Sequence, residues 1–230
     1  MSVGGRIVLA LSALVAAAVG LCPAAEPSLS GARAALEDAL YDLAEREARA
    51  YLAAAPKGPA AEEALLLLVQ ALHGQGRYRE MLAALDARPA AGRVPAADAL
   101  TFWRAMALYE LGAWSEALAA LEDFAGHHPQ SPYVLRAERL RAWCQLKSGQ
   151  RDAALATFAR IDQQYGDADE GAANLLDWGR ALFAAGDWVG ATNVLGRLAG
   201  RAAAADVQHE AKFWTAQALV RLGRWEAGWN

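Results

Sequence analysis

The chain has 230 residues, with 22 Lys+Arg against 26 Asp+Glu and a formal net charge of -4; 55% of it is hydrophobic and 8% aromatic. That is too apolar for an extended disordered chain. The acidic balance is the wrong sign for neutralising phosphates, which excludes nucleic acid as the partner class. Two cysteines cannot build a disulfide framework.

Residues 1–25 have the layout of an export signal: Arg6 as the one charge, an apolar run from Ile7 to Leu21, and the small residues of Pro23-Ala24-Ala25 before Glu26. The run is short and Ala/Gly-rich for a membrane span, which needs about 20 apolar residues. Cleavage is expected near Ala24 or Ala25. Retention of the segment as an anchor is the alternative. Cys22 stands where a lipoprotein would be modified, but Leu21 fills the slot before it that such signals give to a small residue. The expected address is periplasmic or extracellular, without a lipid and with no membrane span in the mature chain.

From residue 32 onward the sequence repeats. Glycines recur at Gly76, Gly112, Gly149, Gly186 and Gly223, at intervals of 36, 37, 37 and 37 residues. Two positions after each stand Tyr78, Trp114, Arg151, Trp188 and Trp225, and seven before each stand Val69, Ala105, Ala142, Gly179 and Ala216. A glycine accepts the left-handed conformation that ends a helix. An aromatic residue just beyond it wedges a second helix against the first, and small residues let facing helix axes approach. Within the segments, Leu100, Trp103, Ala107 and Leu111 follow helical spacing, as do Leu118, Leu121 and Phe124.

The predicted units are a degenerate one at 32–56 dominated by its second helix, with Ala39 where the glycine should be, then 62–95, 98–131, 135–168, 172–205 and an incomplete one at 209–230. Pro56, Gly58 and Pro59, then Pro89 to Pro95, then Pro129 and Pro132 mark the early joints. The sequence stops after Trp229-Asn230, as a second helix would begin. That stop predicts either further sequence or a surface that covers this end.

The arrangement resembles the tetratricopeptide repeat, a helix-turn-helix of about 34 residues with W-x2-L-G-x2-Y, then A-x3-F, then Pro. Unit 172–205 carries Leu175, Trp178-Gly179, Leu182, Gly186, Trp188, Ala191 and Leu195; unit 98–131 carries Ala105, Leu108, Gly112, Trp114, Ala117, Leu121, Phe124 and Pro129. Departures are Thr101 and Arg104 in the third unit, where Trp103 substitutes from the neighbouring position, and Gln145 and Arg151 in the fourth. The resemblance implies an all-α fold, an α-solenoid of stacked hairpins forming a right-handed superhelix. The lengthened period and the Ser131-Pro132-Tyr133 joint are similar to the repeats of bacterial envelope proteins, the Tol-Pal coordinator and outer-membrane assembly lipoproteins among them.

No phosphate loop, nucleophile elbow or zinc-ligand spacing is present. His127 and His128 sit in a loop, Cys144 occupies a small-residue column, and the acidic run from Glu37 to Glu47 interleaves with Arg46 and Arg49 as a solvated helix face. No catalytic residue, metal or cofactor is expected.

Function then rests on binding. In the resembled family the groove is lined by first-helix positions thirteen, ten, six, three and two residues before the turn glycine. Here these positions include Phe102, Met106, Tyr109 and Glu110; Arg136, Arg139, Trp143 and Lys147; Leu176, Arg180 and Phe183; and Phe213, Gln217 and Arg221. Aromatic and arginine side chains are what binding hot spots favour. The expected function is an exported, non-catalytic scaffold that binds a protein or peptide of the cell envelope, with an acidic or carboxyl-terminal end near Arg139 and Arg180. The alternative is the superhelical non-catalytic region of a larger envelope enzyme, similar in architecture to that of lytic transglycosylases.

Overall fold

In the computed structural model, residues 28–54, 58–87, 96–166, 171–200 and 203–224 are described; the export-signal segment and Trp225 onward lie outside them. The first hairpin is α1 (Leu29–Glu37) with α2 (Tyr41–Ala53), the second α3 (Pro59–Gly74) with α4 (Tyr78–Asp86). The third is α5 (Ala97–Glu110) with α6 (Trp114–Ala120) and the short α7 (Phe124–His127). The fourth is α8 (Val134–Lys147) with α9 (Arg151–Tyr165), and the fifth α10 (Gly171–Ala185) with α11 (Trp188–Gly196) and a 3-10 turn, Arg197–Gly200. α12 (Ala205–Arg221) opens a sixth. No strand occurs among the described residues.

One device closes every hairpin. The turn residue has positive φ, 71° at Gly76, 80° at Gly112, 78° at Gly149, 83° at Gly186 and 72° at Gly223. The amide after it reaches back five residues: Arg77 N to Leu72 O at 2.9 Å, Ala113 to Leu108 at 2.9 Å, Gln150 to Gln145 at 2.8 Å, Asp187 to Leu182 at 3.0 Å and Arg224 to Leu219 at 2.9 Å. This satisfies carbonyls that a helix end leaves open. In the first hairpin Ala39 takes the same conformation at φ 56°, and Leu40 N bonds Ala35 O at 2.7 Å. A non-glycine residue bears strain there. The first unit is therefore a complete hairpin. Its first helix has nine residues and starts at Leu29, where Ser28 Oγ accepts the Ser30 amide at 3.3 Å.

Each second helix packs on the first helix of its own hairpin and on that of the next. First helices also touch along the stack at α1 with α3, α3 with α5, α5 with α8 and α10 with α12, whereas successive second helices are not closely packed. The fold is an α-solenoid with the first helices on its inner side. Its core is a chain of clusters at the junctions: Leu72, Met81 and Leu100; then Phe102, Leu121, Phe124 and Leu140; then Phe158, Ile161 and Ala181; then Leu175, Leu195 and Ala211. The small-residue column is the contact line. A Cβ at buried Gly179 would overlap the Leu195 side chain.

Two departures have local causes. The expected continuous helix through Leu118, Leu121 and Phe124 breaks, because Asp123 adopts φ 48° and its carboxylate folds over Gly126, where any Cβ would collide with it. Leu121 and Phe124 both stay in the core, at 1% and 2% exposure. At the start of the third unit, Trp103 packs back on the second hairpin with its ring 5.0 Å from that of His73, and Arg104 pairs with Asp86 at 2.5 Å. The Ser131-Pro132-Tyr133 joint is tied to α5. Ser131 Oγ donates to Asp98 at 2.5 Å, and the Tyr133 ring lies 5.0 Å from Phe102.

A candidate partner-binding groove on the inner face

The groove positions come from four first helices, α5, α8, α10 and α12, all on the inner side. Their spacing keeps them on one helix stripe. Two adjoining depressions open along that stripe. The first, about 460 Å³, is lined by Phe102, Met106, Tyr109, Glu110, Arg136, Arg139, Leu140, Trp143 and Asp177. The second, about 790 Å³, is lined by Trp143, Leu146, Lys147, Gly149, Arg151, Asp152, Arg180, Ala181, Phe183, Ala184, Ala185 and Trp214. Trp143 is the wall they share. Both volumes fall in the range of sites that hold ligands, about 300–1,000 Å³.

Nine of the twelve principal groove candidates line these depressions: Phe102, Met106, Tyr109, Arg136, Arg139 and Trp143 the first, and Trp143, Lys147, Arg180 and Phe183 the second. Phe102 is floor rather than anchor, since it is 3% exposed and belongs to the core; Leu176 is likewise buried. Phe213, Gln217 and Arg221 lie on α12 outside both depressions. Phe213 is 53% exposed and edges onto Trp214 at 5.3 Å.

The electrostatics differ from expectation at the two arginines assigned to a ligand carboxylate. Arg139 donates from Nε at 2.9 Å and from Nη2 at 2.5 Å to Asp177 Oδ2, a buried carboxylate on α10. This pair joins α8 to α10, which meet chiefly through side chains rather than by close backbone packing. Arg180 lies between two indoles, its guanidinium carbon 5.6 Å from the Trp143 ring and 5.8 Å from the Trp214 ring. Its Nη1 sits 3.2 Å from Glu210 Oε1, which also accepts Trp214 Nε1 at 3.3 Å. Both arginines thus have carboxylates of this chain. The two indole rings also attract the guanidinium through their negative faces. Burial, reinforced by the charge of Glu110, pushes the Tyr109 phenol up, so it remains a neutral hydroxyl in the wall of the first depression.

Asp177, Glu210 and Trp214 were missing from the sequence-based set. Asp177 and Trp214 stand nine residues before their turn glycines, a column that reads Leu67, Trp103, Leu140, Asp177 and Trp214. A lone carboxylate in an apolar column is the signal that marks Asp177. Among the described residues, no group of three or more His, Cys, Asp and Glu is placed to hold a metal, and no helix is long and apolar enough to cross a membrane.

Comparison with known proteins agrees with this architecture. Two hairpins match the tetratricopeptide repeat. The matched segments are residues 98–131 and 137–168, the third and fourth units. Among solved structures, the chain is similar to a putative kinesin light chain from Podosopora anserina with nearly identical TPR-like repeats, at 16% identity, covering 75% of this chain and 92% of that one with a TM-score of 0.61. It is similar to a tetratricopeptide repeat protein from Parabacteroides merdae, at 15% identity, 86% and 73% coverage and a TM-score of 0.59. BtubC (BKLC) from P. vanneervenii shares 13% identity over 89% of this chain and 87% of that one, with a TM-score of 0.61. At such identities the likeness speaks for the fold. No curated protein matches at a significant level.

Proposed function

We propose that the chain is an exported, non-catalytic scaffold whose inner groove holds an extended or helical segment of a cell-envelope protein. The observation that carries this is the pair of depressions sharing Trp143, aromatic in lining and formed mainly by first-helix residues of stacked tetratricopeptide-type hairpins, joined by Gly149, Arg151 and Asp152 at the fourth turn. Side chains of this kind, partly exposed on a rigid inner surface, are the usual anchors of interaction energy. Export is supported by the charge, apolar run and small residues of positions 1–25. The envelope partner is supported by the resemblance of the repeat period and the Ser131-Pro132-Tyr133 joint to envelope proteins of the Tol-Pal and outer-membrane assembly type.

Site-specific photo-crosslinking tests the groove. A crosslinker at Met106 or at Phe183 should capture the same partner in intact cells, and one at Arg79, exposed on α4, should not. Equal capture from all three positions, or from Arg79 alone, would reject the groove. Sequencing of the mature amino terminus tests the address: a start beside Ala24 or Ala25 is expected, and a chain still beginning at Met1 would reject processing by export.

A further inference from the structure

Arg151 is the feature that neither the packing nor the groove has so far accounted for. Two residues after the turn glycine the other described hairpins have Tyr78, Trp114 and Trp188, each half-buried against its own hairpin. The fourth has Arg151, exposed at the first residue of α9. The wedge it forgoes is replaced by a polar contact deeper in the hairpin, where Thr157 Oγ1 donates to Gln145 Oε1 at 3.0 Å. Arg151 and Lys147 flank Gly149 and both line the second depression. Among the described residues, no carboxylate pairs with either of them. The neighbouring arginines, by contrast, are met by Asp177 and Glu210.

The local field is cationic although the chain as a whole carries -4. Asp152 lines the same depression, but it lies in the first turn of α9, where the positive end of the helix offsets it. Arg151 at that same end and Lys147 in the last turn of α8 then leave two cations facing the one carboxylate of Asp152. In the first depression Arg139 is held by Asp177, the exposed Arg136 and Glu110 contribute one charge of each sign, and Met106, Tyr109 and Trp143 are the part-exposed apolar and aromatic surface open to a guest.

We infer that the partner segment carries a bulky apolar residue followed or preceded closely by an acidic one, the apolar side chain entering the first depression and the carboxylate meeting Lys147 and Arg151 in the second. This rests on the groove reading and refines it, naming which cations are available for recognition. Because both depressions share Trp143, the two ligand residues must be near neighbours in sequence.

The test is selection from a random-peptide phage library on the full chain. Enriched peptides are then measured by fluorescence anisotropy against the wild type, the double variant Lys147→Glu/Arg151→Glu and the variant Met106→Glu, each checked for native helicity. Lys147 and Arg151 are exposed and Met106 is part-exposed, so the substitutions leave the core in place. Peptides pairing an aromatic or Leu residue with Asp or Glu are expected. The double charge reversal should weaken them about three- to tenfold, the scale of two exposed ion pairs, and added salt should weaken wild-type binding in the same direction. Peptides that need Met106 but show no acidic bias, and bind the charge-reversed protein as well as the wild type, would overturn the inference and leave the groove standing. Failure of the library to yield any peptide that Met106→Glu weakens would overturn the groove reading and this inference with it.

Discussion

Removing Asp177 tests whether the groove arginine is held by the fold or is available to a ligand. Asp177→Ala takes away the acceptor of two Arg139 donors and leaves a guanidinium whose side chain is 23% exposed. Breaking a fully buried pair costs about 3–5 kcal/mol, and an exposed one is worth about 0.2–1 kcal/mol. With the Asp177 side chain 10% exposed and the arginine open to the first depression, the expected loss is about 2 kcal/mol. Arg139→Leu alone should cost a similar amount by stranding the carboxylate. The double variant Arg139→Leu/Asp177→Leu is the informative one. Ten residues before the turn glycine the other hairpins have Leu66, Phe102, Leu176 and Phe213, and nine before it Leu67, Trp103, Leu140 and Trp214, so the double change restores apolar columns. It should be as stable as the wild type, so the two single costs of about 2 kcal/mol each vanish together and the coupling energy between the sites is about 4 kcal/mol. Urea unfolding supplies the free energies, and hydrogen exchange on α8 and α10 shows whether the loss is local, since stacked repeats need not unfold as one unit. Single-variant costs that simply add in the double variant would refute the clamp.

Other outcomes follow from single contacts. Gly179→Ala should destabilise the fifth hairpin by about 1–2 kcal/mol, the overpacking against Leu195 exceeding the gain in helix propensity; a more stable variant in thermal unfolding would mean that Leu195 turns away freely. Burial alone would raise the Glu45 carboxyl, but bonds from Gln75, Arg49 and Arg77 bring it below the usual range. A carboxylate depressed on folding stabilises above its unfolded pKa, so this contribution is whole at neutral pH and fades as the pH drops below about 4.5. Glu45→Gln should therefore lose stability relative to wild type at neutral pH and converge with it in acid; an offset that does not change with pH would refute the network. Burial pushes the Cys144 thiol up to about 12, so it should resist Ellman's reagent at mildly alkaline pH until denaturant is added, and prompt reaction of the native protein would contradict its burial.

The period was legible because it is enforced by backbone geometry. Only a residue tolerant of positive φ can close each turn, which spaces the glycines and points back to Ala39, where an alanine accepts the same strain. The nine-residue α1 was harder to see because it is short, although Ser28 before Leu29 is the capping signal that announces it. The break at Asp123 was hidden for another reason: both Leu121 and Phe124 fit a continuous helical stripe, and only the joint choice of Asp123 and Gly126 allows the kink that buries them together. In the groove, positions were readable while partners were not. Arg139 finds its acceptor 38 residues away, one period plus one, so its pairing becomes visible only when adjacent columns of consecutive repeats are read side by side.

The fourth hairpin is where the repeat pattern yields most. Glu138 is 3% exposed and must be met by Arg141 at 2.7 Å and by Arg160; Arg139, Gln145 and Arg151 stand in columns that other units fill mainly with apolar or aromatic groups. Buried ion pairs return little net stability against well-packed apolar equivalents, so these pairs fix which helices meet while the apolar cluster around Phe158 and Ile161 supplies the strength. Both depressions border it. Sequences depart from their own local rules where something other than packing is being served, and here the polar residues either tie α8 to α9 and α10 or face the groove. The third and fifth hairpins keep their aromatic wedges at Trp114 and Trp188 and pack on either side of that less apolar hairpin.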